Sequence, residues 1–345
     1  MADRPEISVI VGDFGRRRYV RAALDSLTSQ TLPRARFEVV LIKNYADPVL
    51  DAEIAGSGGV VLFDEERQIG RWLRHAIAAA HAPLITFLDD DDQFEPERLE
   101  RVLAVFAAHP DLGFYRNRVR VMDGEGRLVP PERWRVHETD GALDALGALY
   151  VPPERKAELL ELATRRTSAT FSTSSMALKR ELLDGAVGDG FENTQLEDTY
   201  LFLAGVIAPY GVFLDDRRLT RYRFYGGNVS SRVDWLESAE ASYRDMARVA
   251  AAHGRPDWAG WCAHETDHFG RMFRGGTIVE RVRASADRRE IARRTGAYLR
   301  FLAAHPAERA MSLDVWAAAG YGAGYLLAPP LARRVAEIRP TALRD

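Results

Sequence analysis

One stretch, Pro83–Pro96, limits what this chain can fold into more than any other. Its first part, Leu84–Leu88, is apolar or β-branched throughout, which predicts a strand buried on both faces in a parallel sheet. Asp89–Asp92 follows at once, so the strand delivers four adjacent carboxylates to the carboxyl edge of the sheet. Open α/β sheets bind their ligands at that edge. The stretch therefore predicts an α/β fold with an acidic ligand site.

Four adjacent carboxylates repel one another unless a cation or a set of donors lies among them. Carboxylate oxygens suit Mg²⁺ or Mn²⁺, and such an ion usually bridges one or two carboxylates to the phosphates of a ligand. This chemistry favours a divalent-metal site. The alternative is a solvated acidic turn before the helix that begins near Pro96, because carboxylates also favour the N-terminal end of a helix dipole.

The composition narrows the class of protein. A chain of 345 residues with 46% hydrophobic content can form a large core, either as one domain with an appendage or as two domains. A net charge of -3 argues against a general nucleic-acid binder. The single cysteine, Cys262, excludes an intramolecular disulfide and a thiolate zinc cluster. No signal-peptide pattern is present, and we expect a bacterial protein in the cytoplasm or at the inner face of the membrane.

Strands and helices alternate in the pattern over the first two thirds of the chain. The predicted strands are 7–11, 37–42, 60–63, 84–88, 112–121, 126–129, 168–178 and 211–214, and a segment at 219–225 completes this part of the chain. The predicted helices are 19–27, 70–80, 96–108, 142–150, 153–164 and 196–207. We place an α/β domain at residues 1–232, with a helical insertion at 130–166.

The remainder, residues 233–345, is predicted to be helical. Its helices are expected at 235–252, 258–272, 279–304 and 313–337, with a loop at Gly275-Gly276. Four tryptophans, Trp235, Trp258, Trp261 and Trp316, supply more apolar surface than a solvated appendage needs. We expect this region to pack on the α/β domain or to form a homodimer contact.

One motif in the helical region suggests a different activity. His264-Glu265-x-x-His268 fits the helix pattern of zinc hydrolases, in which two imidazoles lie one turn apart. A third ligand is required, and Glu280 and Glu290 are the candidates downstream. Without its structural context such a short pattern is mostly chance, so the alternative interpretation is a helix face that packs.

The first domain resembles a known family. The segments Ile7–Val11, Leu27–Thr31 and Glu38–Ile42, followed by Phe87–Asp92 with Pro96 and Leu99, resemble a family 2 glycosyltransferase of the GT-A fold. Leu196–Leu201 and Tyr222–Ser230 continue the resemblance in the family's order. It covers about residues 6 to 231, and it implies a Rossmann-like mixed sheet that binds a nucleotide-sugar.

The resemblance implies a role for each matching residue. Asp89, Asp90 and Asp91 occupy the Asp-x-Asp position: Asp89 and Asp90 approach the ribose and the donor sugar, and Asp91 ligates Mn²⁺ or Mg²⁺. Asp198 matches the general base, which removes the proton of the acceptor and gives inversion at the anomeric carbon. Without the resemblance, Glu197-Asp198 is simply acidic sequence at a helix start. There the helix dipole is expected to lower the pKa of Asp198.

Two departures from the family pattern concern the nucleotide. Lys43-Asn44 stands where the family has an aspartate that holds uracil; Asn44 offers a donor and an acceptor to a base, and Lys43 offers a cation to a phosphate. Asp13 follows the first strand and is a candidate for the base or the ribose. The donor is therefore expected to be linked to UDP, dTDP or GDP.

Two further departures concern the diphosphate. The family's glycine-and-arginine segment aligns here with a one-residue ambiguity, so Arg74 is the diphosphate candidate and Arg71 the alternative. Tyr225 stands where the family has a histidine, and a phenol is a poor ligand for Mg²⁺ or Mn²⁺. The missing aspartate after the second strand and the missing histidine at Tyr225 leave open an alternative function, a catalytically degenerate nucleotide-sugar binder. The sequence does not identify the acceptor, which could be a glycan, a lipid-linked molecule or a small molecule. The insertion at 130–166 is expected near the acceptor side.

Overall fold

The computed structural model describes residues 4–13, 15, 17–130, 146–164, 168–225, 233–284, 287–305 and 313–327. These residues form two compact units. The first contains the described residues up to Tyr225 together with Arg248–Trp258, and the second contains the rest. The two units are described separately below. The predicted domain boundary at residue 232 lies outside the described residues.

The first unit is built on a nine-stranded mixed sheet. The strands are β1 (Ile7–Asp13), β2 (Phe37–Lys43), β3 (Val60–Phe63), β4 (Leu84–Asp89), β5 (Gln93–Phe94), β6 (Leu112–Met122), β7 (Leu149–Val151), β8 (Met176–Lys179) and β9 (Gly211–Arg223). Their order is β3-β2-β1-β4-β8-β6-β9-β5, with β7 beside β9. Strands β1 to β4 pair in parallel, as their uniformly apolar sequences predict. The predicted mixed α/β sheet is confirmed.

Helices cover this sheet. They are α1 (Arg17–Thr28), α2 (Pro48–Gly56), α3 (Ile69–Ala79), α4 (Arg98–Ala108), α5 (Glu158–Thr164), α6 (Gly185–Phe191) and α7 (Glu197–Ile207). Helix α2 was not predicted, although its sequence carries a start signal: Asp47 caps the helix by accepting a hydrogen bond from the N–H of Leu50 at 3.2 Å, and Pro48 follows it.

Several predicted strands were wrong in extent. Residues 168–178 form a strand only from Met176 onward, and the preceding serine-rich part makes short 3₁₀ turns. The predicted hairpin partner at 126–129 contributes a single bridge, between Met122 and Leu128. Leu149 and Tyr150 lie in β7, not in a helix. Residues 142–145 of that predicted helix lie outside the described residues.

Two close approaches hold helix α3 against strand β1 and against the end of helix α6. A Cβ atom at Gly12 would lie 2.8 Å from the indole ring of Trp72 on α3, so only glycine lets that fully buried ring cover the end of β1. A Cβ atom at Gly70 would lie 1.8 Å from the carbonyl oxygen of Phe191. The start of α3 is therefore in backbone contact with the end of α6.

The second unit is helical, as predicted. Its described helices are α8 (Val233–Ala252) and α9 (Pro256–Arg283), which both extend into the first unit, and α10 (Arg288–Ala304) and α11 (Leu313–Leu327). The predicted loop at Gly275-Gly276 was wrong, because α9 runs through it: a Cβ atom at Gly275 would lie 3.3 Å from that of Ala318, so the missing side chain allows close helix packing. No described helix is long and apolar enough to cross a membrane.

Candidate active site

The acidic run forms a tight turn at the carboxyl edge of the sheet. The N–H of Asp92 donates to the carbonyl of Asp89 at 3.0 Å, and the N–H of Asp90 donates to the carbonyl of Gly12 at 3.1 Å. Asp89, Asp91 and Asp92 each offer a carboxylate oxygen, and these oxygens lie within 4.8 Å of one another. The turn thus gathers the carboxylates of Asp89, Asp91 and Asp92.

Asp92 shows what this cluster lacks. Its side chain is fully buried, its Oδ1 accepts from the N–H of Arg223 at 2.9 Å, and its Oδ2 has no hydrogen-bond partner among the described residues. Burial, together with the charges of Asp91 and Asp89, raises the pKa of Asp92 well above its ordinary value. A buried carboxylate oxygen without a donor is a costly arrangement unless a cation meets it. These residues therefore fit a divalent metal ion.

Asp198 lies in the first turn of α7, as predicted, and both of its oxygens are held. Oδ1 accepts from the N–H of Thr199 at 2.6 Å and from its hydroxyl at 3.3 Å, and Oδ2 accepts from the N–H of Ser172 at 3.1 Å. The predicted lowering of its pKa was wrong. Burial raises the pKa of Asp198 and outweighs these hydrogen bonds and the charge of Arg116.

Glu197 precedes Asp198, and its pKa is also raised. Burial, followed by the charges of Asp198 and Asp89, raises the pKa of Glu197 to about 8. At neutral pH Glu197 is therefore mostly protonated, whereas Asp198 keeps three donors to its carboxylate. Of the two, Asp198 is the group that can accept a proton.

Tyr222, on β9, links the two groups of carboxylates. After burial, the causes that raise its pKa well above the ordinary value are the charges of Asp92, Asp91, Asp89 and Asp198, in that order. The acid turn and Asp198 therefore lie close enough to act on one phenol. Sequence reasoning missed Tyr222, although it stands in a segment that carries the family resemblance.

Arg223, the next residue, was also missed. Its buried guanidinium donates through Nε to the carbonyl of Asp91 at 2.8 Å, and it lies 4.4 Å from the ring centre of Tyr19. Tyr225, the predicted histidine replacement, packs its ring edge against Tyr19 at 5.3 Å between ring centres. The end of β9 thus holds the acid turn through its backbone and through an arginine.

The predicted nucleotide residues lie at the ends of β1 and β2. Asp13 is fully buried and accepts from the N–H of Gly15 at 2.8 Å and from the hydroxyl of Tyr45. Asn44 is exposed at the exit of β2. Lys43 is buried, donates to the carbonyl of Tyr45 at 2.9 Å and pairs with a carboxylate oxygen of Asp51 at 2.6 Å. The suggestion that Lys43 meets a phosphate gains no support, because its ammonium stabilises this loop.

The two diphosphate candidates have protein partners. Arg74 donates to the carbonyl of Leu183 at 2.6 Å and lies 3.5 Å from a carboxylate oxygen of Glu192. Arg71 is half exposed and lies 3.6 Å from a carboxylate oxygen of Glu66. Among the described residues, neither arginine forms a hydrogen bond or an ion pair with a carboxylate of the acid turn. The assignment of Arg74 to a diphosphate therefore stays a prediction.

The zinc-hydrolase motif does not assemble among the described residues. His264 is exposed, whereas Glu265 and His268 are buried, and His268 Nδ1 lies 3.1 Å from a guanidinium nitrogen of Arg271. Within the described ranges, the group Asp89, Asp91 and Asp92 is the one set of three potential metal ligands. The packing interpretation of this helix is favoured.

Fold and site together define a mixed α/β domain with an acidic turn at the carboxyl edge of its sheet and a further carboxylate, Asp198, in the first turn of α7. The profile of Glycosyl transferase family 2 matches residues 8–185, more than half of the chain. The chain belongs to this family, as the sequence predicts, and its predicted enzyme class is confirmed.

Relatives and solved structures agree on the class and the fold. An uncharacterized glycosyltransferase of Haemophilus influenzae is 33% identical over 110 residues, which are 31% of this chain and 37% of that protein. One of Nostoc is 25% identical over 130 residues, 36% of this chain and 39% of that protein. The chain thus aligns with well under two thirds of these relatives' length.

The crystal structure of residues 1–349 of S. aureus TarS in complex with UDP is similar, with a TM-score of 0.56, 17% identity and coverage of 96% of this chain and 90% of that one. The predicted GT-A fold is confirmed.

Proposed function

We propose that this protein is a metal-dependent, inverting glycosyltransferase that moves a sugar from a nucleoside-diphosphate donor to an acceptor hydroxyl or amine. The observation that carries the proposal is the proximity of the acid turn and Asp198, because the N–H of Ser172 donates to Asp198 Oδ2 at 3.1 Å and the hydroxyl of nearby Ser174 accepts from the N–H of Asp89 at 3.0 Å. A glycosyl transfer needs a site for the departing diphosphate beside a base for the acceptor. This chain places carboxylates suited to both tasks at one sheet edge.

Asp198 is the base in this proposal. Its three hydrogen bonds fix both oxygens, so the carboxylate is oriented before the acceptor arrives. It takes the proton of the acceptor as the acceptor attacks the anomeric carbon. Attack from the face opposite the diphosphate inverts that carbon, by the logic of single displacement.

Asp91, with Asp89 and Asp92, holds the metal in this proposal. A bound Mn²⁺ or Mg²⁺ supplies Lewis acidity to the developing diphosphate anion. Asp92 reaches the cluster through its unpartnered Oδ2, while its Oδ1 is fixed by the N–H of Arg223. Asp90 is buried, and its N–H donates to the carbonyl of Gly12 on β1 at 3.1 Å; we assign it to the donor.

Among the candidate donors, we favour a UDP-sugar over dTDP- and GDP-linked sugars. The fold is similar to that of a TarS structure in complex with UDP. Asn44, exposed after β2, offers the amide donor and acceptor that a pyrimidine edge needs. A degenerate binder is the competing function, and the intact base and acid turn argue against it.

Thermal shift with UDP, dTDP and GDP, each with and without Mn²⁺, tests the donor, because a ligand that binds only the folded state raises the melting temperature. We expect the largest Mn²⁺-dependent rise with UDP. UDP release from a mixture of UDP-glucose, UDP-galactose and their N-acetylamino forms then tests turnover. Binding of UDP with Mn²⁺ but no release, with acceptor extracts or without, would favour the degenerate binder. No Mn²⁺ dependence of any nucleotide's binding would contradict the metal site.

A further inference from the structure

A short loop joins the acid turn to the base. This serine loop, Phe171–Ser175, precedes β8 and is buried from Ser172 onward. At one point it binds the base, since the N–H of Ser172 donates to Asp198 Oδ2 at 3.1 Å. Two residues later it binds the acid turn, since Ser174 Oγ accepts from the N–H of Asp89 at 3.0 Å. One segment of chain therefore contacts both halves of the proposed site.

The loop is held from three sides. The hydroxyl of Ser175 donates to the carbonyl of Ser172 at 2.7 Å, and the hydroxyl of Thr220 on β9 donates to the carbonyl of Ser174 at 3.1 Å. Arg116 Nε donates to the carbonyl of Phe171 at 3.4 Å. These contacts leave the loop little freedom to follow a displaced base or acid turn, so it acts as a spacer.

Ser172 adopts a backbone conformation that its side chain opposes. Its φ of 65° is the one positive value at a non-glycine residue in the described part of the chain. Such a conformation is unfavourable for a residue with a side chain and persists where the surroundings enforce it, often at functional sites. Its hydroxyl is buried without a hydrogen-bond partner among the described residues. The N–H to Asp198 is what this conformation supplies.

We propose that the serine loop is a positioning element that sets the separation of the metal-binding carboxylates and the base, with Ser172 positioning Asp198 and Ser174 positioning Asp89. The proposal rests on the proposed function and deepens it, because it assigns residues that act through the base and the acid turn. The two contacts lie at different residues, so their effects are separable.

The test measures two quantities in each variant: the Kd of UDP in the presence of Mn²⁺, by calorimetry, and the rate of UDP release from the mixed UDP-sugars. Ser172→Val forces a β-branched side chain onto a positive φ and turns the N–H away from Asp198. We expect release to fall about 10²-fold, the cost of a misplaced reacting group, with the Kd unchanged. Ser172→Gly keeps the N–H and accepts the positive φ, so it should retain wild-type release within about twofold.

Ser174→Ala removes the acceptor of the Asp89 N–H. A lost hydrogen bond to a buried donor should weaken binding of UDP with Mn²⁺ about tenfold. Thr86→Val is the matched control, because the buried hydroxyl of Thr86 donates to the carbonyl of Met176, just beyond the loop, at 2.7 Å. It should lower the melting temperature and leave both the Kd and the rate within about twofold, since it contacts neither carboxylate group.

Three outcomes would overturn the proposal. Ser172→Gly as slow as Ser172→Val would show that the N–H is not what matters. A loss in Ser172→Val that appears in the Kd and not in the rate would contradict positioning of the base. If Thr86→Val loses as much UDP affinity or release rate as the serine variants, the loop has only a structural role. If Ser172→Val does not fold, Ser172→Thr makes the same comparison. A wild type that binds UDP but releases none fails the proposed function alone, and the Kd of Ser174→Ala still decides the loop's role.

Discussion

Replacing Asp198 by asparagine removes the proposed base while its neighbour serves as the control. The wild-type carboxylate accepts hydrogen bonds on both oxygens, from the N–H of Ser172 on one side and from Thr199 on the other. An asparagine side chain has one oxygen and one NH₂ group, so one of these donors must face another donor. We therefore expect Asp198→Asn to lose stability by about 1–3 kcal/mol, the cost of an unsatisfied buried donor.

The effect on turnover should be larger. A positioned general base is worth about 10²- to 10⁴-fold, or about 3–5 kcal/mol of activation free energy at 1.36 kcal/mol for each factor of ten. Glu197→Gln should cost less than about tenfold, well below that range. Because the pKa of Glu197 is raised to about 8, the wild-type side chain is mostly protonated at neutral pH, and a glutamine is a close neutral replacement for it.

The assay compares three proteins at neutral pH: wild type, Asp198→Asn and Glu197→Gln. For each, UDP release from the mixed UDP-sugars gives turnover, calorimetry gives the Kd of UDP with Mn²⁺, and urea unfolding gives stability. The expected pattern for Asp198→Asn is a large loss of turnover with an unchanged Kd. Equal losses of turnover in the two variants, or an Asp198→Asn protein that fails only in UDP binding, would refute the assignment of the base.

Three further predictions follow from other parts of the structure. Asp91→Asn should abolish turnover and the Mn²⁺-dependent part of UDP binding without lowering the melting temperature of the metal-free protein, because it relieves repulsion in a crowded acidic cluster; metal-dependent turnover that survives would contradict it. Burial raises the pKa of Glu197 to about 8, above the ordinary value for a glutamate, so the folded protein holds an extra proton at pH values between the two, and wild-type stability falls as pH rises through that window. Glu197→Gln should therefore gain stability relative to wild type from about pH 5 to about pH 8.5 in EDTA, and a flat difference would argue against the shift. Gly322→Ala should destabilise the second unit by about 1–3 kcal/mol, because the new Cβ atom would lie 2.0 Å from Thr295 Oγ1. Gly260→Ala, on an exposed helix surface with nothing within 4 Å, should instead gain a few tenths to about 1 kcal/mol in urea unfolding.

The parallel half of the sheet was predictable because burial on both faces leaves a strong signal. Val9, Leu41 and Leu88 lie in runs with almost no polar residue, and such runs have few other uses in a chain of this composition. The antiparallel half was harder. Strand β9 is one element of 13 residues, yet Asp215 to Arg218 break its apolar pattern, and the sequence predicted a strand only at 211–214, with 219–225 as a separate segment.

The acid turn and Asp198 were predictable because charged residues next to apolar elements stand out. The serine loop was not, because Ser172 to Ser175 carry no charge and their β-branched and apolar neighbours favoured a strand. What they do in the structure depends on backbone N–H and hydroxyl groups, which every sequence contains. Partners for those groups are chosen by the tertiary fold, so sequence patterns do not specify them.

The pKa of Asp198 is raised and not lowered as the sequence analysis predicted, and this difference makes Asp198 a stronger base than expected. The sequence argument considered the helix dipole alone, which stabilises the carboxylate and would make a weak base. In the structure burial outweighs both that effect and the hydrogen bonds, so the pKa is raised. A carboxylate with a raised pKa holds the acceptor's proton more tightly once it is transferred. The donors from Ser172 and Thr199 stabilise its ionised form and oppose the effect of burial, and so the same contacts that orient Asp198 also favour the form that accepts a proton.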